Sequence, residues 1–164
     1  MRLPLALVAA AFGLSACNGG APEGAAESAS RLLAAALNND RVAFEAEIDR
    51  AAVRDDVRRQ VAELARSTAL EVDGGPSEFA LDRMISPDAV RVVDSAGHRL
   101  AEPPTASQVA PLMKAVDDKR VCLREVRGDH DCLLTFARGK DAAGMHWRLV
   151  GMKAMDLRIE LAGG

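Results

Sequence analysis

The sequence predicts an α+β domain, with N-terminal helices packed on one face of a C-terminal antiparallel sheet of three to four strands. Two observations carry this. Apolar residues recur at helical spacing from Ser30 to Val116, and the period switches to two after Lys119. Helices first and strands afterwards describe helices gathered on one sheet face, not alternating crossover units. A third observation sets the amino terminus apart. An apolar run there stops at Cys17 and a small, polar, Gly-rich stretch follows.

Met1-Arg2 is a positive start, and "LPLALVAAAFGL" follows it. That run is shorter than the roughly 20 apolar residues a spanning helix needs. A positive start, a short apolar stretch and small residues at its end describe an export signal. Leu14-Ser15-Ala16 stand directly before Cys17. This row resembles the lipobox of bacterial lipoproteins, and all four positions match. The resemblance implies a cut just before Cys17, a diacylglycerol on its thiol and an acylated new amino terminus. Lipidation at Cys17 would make a membrane the first partner, because two or more acyl chains anchor stably. The expected organisation is then a signal peptide at 1–16, a lipidated Cys and flexible tether at 17–29, and one domain at 30–164. The domain would face the periplasm. Asn18 replaces the Asp that goes with inner-membrane retention in enteric lipoproteins, which leans toward the outer membrane. A plain secretory signal cut near Ala16, with Cys17 left as a free thiol, is the weaker alternative.

The elements follow in order. "SRLLAAALNND" places Leu33, Ala36 and Leu37 on one helical face, and Asn38-Asn39-Asp40 break it. Asp40 is a natural cap for a second helix. That helix carries Phe44, Ile48 and Ala51 on one face and continues through Val57, Val61 and Leu64. Arg54, Asp55, Asp56, Arg58, Arg59 and Glu63 line its other side and read as a solvated face. Asp73-Gly74-Gly75-Pro76 stop it. "SEFALDRMISPDAV" is expected to be helical with a break at Ser86-Pro87, and Gly97 ends that piece. Thr105 to Gln108 has the form of a capping box before Val109, Leu112, Met113 and Val116, with Pro111 placed to kink or delay that helix. "RVCLREV", "CLLTFAR", "MHWRLVGM" and "AMDLRIEL" then read as strands. In the last, Met155, Leu157, Ile159 and Leu161 point one way and Asp156, Arg158 and Glu160 the other. With only Gly151 near their junction, the final two segments are candidates for one bent strand.

With Cys17 assigned to lipid, Cys122 and Cys132 remain of the three cysteines. An even pair in an exported chain reads as a disulfide. A hairpin centred near Arg127 would set the two opposite each other. Two free thiols, or a metal site with His130 and His146, are the alternatives, although the spacing fits no compact zinc pattern. The formal charge of −3 disfavours nucleic acid as a partner. Aromatics are scarce and Tyr is absent, which disfavours a stacking platform.

The order of helix, Asn-Asp break, helix and meander is similar to the NTF2-like superfamily, although the predicted sheet is one or two strands short. That resemblance implies a pocket between sheet and helices, with Asp82, Asp88 or His146 pointing in. The segments "VCLREV", "CLLTF" and "WRLVGM" also resemble an uncharacterised family of small bacterial envelope proteins, over about residues 30–160. That family brings no activity.

"RGDHD" at 127–131 is the densest polar cluster and reads as an exposed turn. Trp147 is expected to face the core and His146 the solvent. No nucleophile elbow, phosphate loop, dinucleotide fingerprint or zincin motif occurs. No catalytic residue, metal or cofactor is therefore assigned. The expectation is a non-enzymatic envelope module binding a protein or envelope component, its small-molecule ligand unknown. A small-molecule binder or enzyme of NTF2-like design is the alternative.

Overall fold

The computed structural model describes residues 21–68, 75–126, 131–141, 144–154 and 157–161. Cys17, His130 and the rest of 127–130, and Met155 and Asp156 of the alternating segment, lie outside these residues. Helix α1 spans Ala21–Leu37, α2 Arg41–Ala46, α3 Arg50–Ser67 and α4 Glu78–Met84. A 3-10 turn at Pro87–Ala89 leads into strand β1, Arg91–Val93. The short helix α5, Ala106–Val109, and a second 3-10 turn precede strands β2 Met113–Ala115, β3 Arg120–Arg124, β4 Cys132–Asp141, β5 Gly144–Met152 and β6 Arg158–Glu160. Strands β2 to β5 form a four-stranded antiparallel meander in chain order. The fold is α+β, with its longer helices N-terminal.

The tether is shorter than expected, because residues 21–29 form the first half of α1. Ala supplies the highest helix propensity, and here it also permits close packing. Ala25, Ala26 and Ala29 are buried with Leu32 and Leu33, so α1 is the central helix of the core. At Gly24 a Cβ would stand 2.8 Å from Trp147 Nε1, so the helix lies directly on the Trp147 ring. Trp147 is buried and belongs to the core, as the strand alternation requires.

The single long second helix is two helices. Asp40 caps α2 by accepting from the Ala43 amide at 3.0 Å. Asp49 then caps α3 through the Ala52 amide at 3.1 Å. Between them Ile48 forms a parallel bridge to Leu149 on β5. The charge run is not wholly solvated either. Asp56 accepts from the Met152 amide at 3.2 Å and from Gln60 Nε2 at 2.8 Å. Gln60 donates to the Met152 carbonyl at 2.8 Å and accepts from the Ala154 amide at 3.0 Å, joining α3 to the end of β5.

Pro111 ends α5 after one turn, so Met113–Ala115 is a strand where helical spacing had predicted a helix. Proline lacks the amide that another α-helical turn would need. The Gln108 arm of the expected capping box is in place, its side-chain oxygen accepting from the Thr105 amide at 2.8 Å.

The last two segments are not one strand. β5 belongs to the meander, while β6 pairs in parallel with β1, setting Arg91 opposite Arg158 and Val92 opposite Ile159. The alternation itself holds, since Leu157, Ile159 and Leu161 are buried and Arg158 is exposed.

Candidate functional site

Cys122 and Cys132 stand at disulfide distance, with sulfurs 2.11 Å and Cα atoms 5.6 Å apart. They are not directly opposed, as a hairpin centred on Arg127 would require. Cys122 faces Thr135 and Cys132 faces Arg124, with a register shift between Leu123 and Arg124. A bulge adds a residue to one strand and re-aims its side chain. Here it brings Cys132 within reach of Cys122. Among the described residues, no group of three His, Cys, Asp or Glu side chains could hold a metal ion.

The acids that could have lined an enclosed pocket lie elsewhere. Between sheet and helices, Leu32, Leu33, Phe44, Leu123, Leu134, Phe136 and Leu149 are all fully buried against one another. They fill the space that the NTF2-like resemblance assigns to a ligand. Asp82 is instead an exposed latch between α3 and α4. It accepts from Arg54, and from Arg50 Nη1 at 3.2 Å. The Arg54 hydrogen bond, followed by the charges of Arg54 and Arg50, holds its carboxyl below the usual carboxylate range. His146 is half-buried, with Nδ1 3.3 Å from the Gly144 carbonyl oxygen.

Asp88 lies on the wall of a cavity of about 340 Å³. Sequence reasoning missed this cavity, because four separate segments build it, the end of α1 with Ala36 and Leu37 among them. β1 supplies Arg91 and Val93, β6 supplies Arg158, and the segment after the 94–97 turn supplies Arg99. Val93 forms an antiparallel bridge to Arg99, and Arg91 sits in register with Arg158. Residues paired across strands, and those two apart along one, share a face. Arg91, Val93, Arg99 and Arg158 therefore share a face, and the buried Val92 and Ile159 alternate with them, Val92 also reaching the cavity wall. Glu160, opposite Val93, is the carboxylate on that same face.

The turn that carries Arg99 is built by Asp94. Its Oδ1 accepts from the Ala96 and His98 amides, each at 2.9 Å. These bonds, the His98 amide first, hold the Asp94 carboxyl below its ordinary range. Gly97 has a φ of 88°, in the region that favours glycine. A Cβ there would also meet Arg158 Nη2 at 2.6 Å, so the guanidinium lies across the bare turn. Arg99 donates to the Leu37 carbonyl at the end of α1, where helix carbonyls lack partners. That bond uses part of a guanidinium with five N–H donors.

No protein-family model, curated protein or solved structure matches this chain. The functional reading therefore rests on its own residues.

Proposed function

We propose that this chain is an exported lipoprotein, held to a membrane by lipid on Cys17 and facing the periplasm, whose domain is a non-enzymatic binding module. The observation that carries the reading is Leu14-Ser15-Ala16-Cys17 at the end of a short apolar run behind a positive start. The disulfide-distance pair Cys122 and Cys132 supports an oxidising compartment. Among the described residues, no helix is long and apolar enough to cross a membrane.

Because α1 begins at Ala21, only residues 18–20 separate the helix from Cys17. Four residue steps reach at most about 14 Å, so the domain would ride close to the bilayer. Asn18 favours the outer membrane. The partner class is an envelope protein or envelope component. Catalysis finds little support, because Asp82 and Asp94 are committed to hydrogen bonds that build the fold.

The test is the intact mass of the protein purified from cell envelopes, with and without reduction and thiol labelling. The expected product starts at Cys17, carries lipid, and takes up two labels only after reduction. A Cys17→Ser chain should leave the membrane fraction. A native product that keeps residues 1–16, or an unmodified Cys17 thiol on soluble protein, would overturn the anchor.

A further inference from the structure

We propose that the cavity bounded by Arg91, Arg99 and Arg158 binds a small organic oxyanion, a carboxylate or phosphate carried on a short apolar body. The proposal deepens the binding-module reading and rests on it; only its choice of a diffusing ligand over a headgroup uses the lipid on Cys17. The lining brings three guanidinium groups together with the carboxylate of Asp88, and Glu160 stands on the same face of the strand pair. Arg is the side chain whose planar fork matches carboxylate and phosphate.

The rest of the lining points to the same ligand. Leu37, Pro87, Val90 and Val93 make part of the wall apolar. A bare inorganic ion would leave that surface in water, whereas a few methylenes would cover it. A large polyanion does not fit a space of about 340 Å³. The turn at Gly97 adds pre-organisation, since the missing Cβ lets Nη2 of Arg158 approach the turn closely.

The position favours a diffusing ligand over a headgroup of the anchoring bilayer. Leu37 and Ala36, which line the cavity, are at the C-terminal end of α1, and the lipid precedes the N-terminal end. A helix of 17 residues separates the two by about 25 Å.

The experiment titrates the full lipidated chain, in phosphatidylcholine nanodiscs, with butyl phosphate, butyrate, inorganic phosphate and butanol. The readout is the arginine Nε–Hε NMR signals. Butyl phosphate and butyrate should shift the Arg99 and Arg158 signals saturably. Inorganic phosphate should bind more weakly and butanol not at all. Arg158→Gln should weaken binding roughly tenfold, the scale of one charged hydrogen bond. Asp88→Asn should tighten it severalfold, a gain that no unfolding could imitate. Nanodiscs containing phosphatidylglycerol separate the sources. If they block butyl phosphate, the oxyanion belongs to a lipid headgroup; if they do not, it belongs to a diffusing ligand. The proposal is overturned if no oxyanion gives a saturable shift, if butanol binds as well, or if Arg158→Gln binds unchanged. None of these results would alter the mass at Cys17, so the anchor and the cavity fail separately.

Discussion

The Asp49 amide donates to the Leu149 carbonyl at 2.8 Å, and the Leu149 amide donates to the Glu47 carbonyl at 2.9 Å. β5 is the last strand of the meander, so these bonds cover part of an open sheet edge. The break between α2 and α3 is what makes them possible. A continuous helix would have kept the Glu47 and Asp49 backbone groups for itself. Nearby, the Ser28 hydroxyl lies 2.7 Å from the Trp147 carbonyl oxygen and 2.6 Å from Glu47 Oε2, tying α1 to the same edge.

Asp49→Ala removes the cap of α3 and should cost about 1 kcal/mol in urea unfolding. It should also speed hydrogen exchange at the Leu149 amide, because the cap fixes the segment that covers it. Asp40→Ala removes the cap of α2 at similar cost but should leave Leu149 exchange unchanged. Equal exchange in the two variants would show that the break holds its place without Asp49.

Gly24→Ala sets two effects against each other. Ala is better than Gly inside a helix by about 1 kcal/mol. The new Cβ would meet Trp147 Nε1 at 2.8 Å, and overpacking of this kind costs about 1–3 kcal/mol. The expected outcome is a net loss of stability with a shifted emission maximum. Trp147 is the sole tryptophan, so the fluorescence reports this site alone. A stabilised protein with unchanged emission would mean that the ring yields freely.

Cys122→Ala, or reduction, should cost about 2–3 kcal/mol, the loop-closure contribution of so short a loop. The β3–β4 end of the sheet should lose exchange protection first, while α1 keeps its own. Denaturant midpoints that match with and without reductant would show that the pair is not bonded in the folded protein.

Acid should destabilise the fold through three carboxylates. Arg54 holds Asp82 below its ordinary range, the His98 amide does so for Asp94, and the Lys119 amide, followed by Arg120, does so for Asp117. A carboxylate depressed in the folded state contributes stability that is present above its unfolded pKa, about 3.9. That contribution is lost as pH falls through the lower folded value. These groups should therefore leave stability flat above about pH 5 and reduce it below about pH 4. Asp94→Asn should flatten part of that acid limb. Added salt should weaken the Asp82 share most, because its partner is another surface charge. Urea midpoints across the acid range, at low and high salt, provide the check. An acid limb unchanged by Asp94→Asn would remove Asp94 from the account.

The candidate cavity was only partly legible. Arg158 stood out as an outward residue in an alternating strand, and Asp88 as an acid beside a helix break. Arg91 and Arg99 gave no signal, because one lay in a segment that read as helix and the other in a loop. A strand of three residues such as Arg91–Val93 is too short to display a period.

By itself, the sequence determined the features that depend on neighbours a few positions apart. These include the cap at Asp40, the buried alternation of Leu157, Ile159 and Leu161, three of the four meander strands and the inward Trp147. They are legible because capping and amphipathic spacing act within one or two turns of chain. Tertiary structure alone decided the rest. It broke the second helix to cover β5, set the bulge that brings Cys132 to Cys122, and paired β1 with β6 across most of the domain. Each of these is a match between distant segments, chosen by which backbone groups and apolar faces remain unpaired once the helices and meander have formed. Such a choice leaves no mark on either segment read alone.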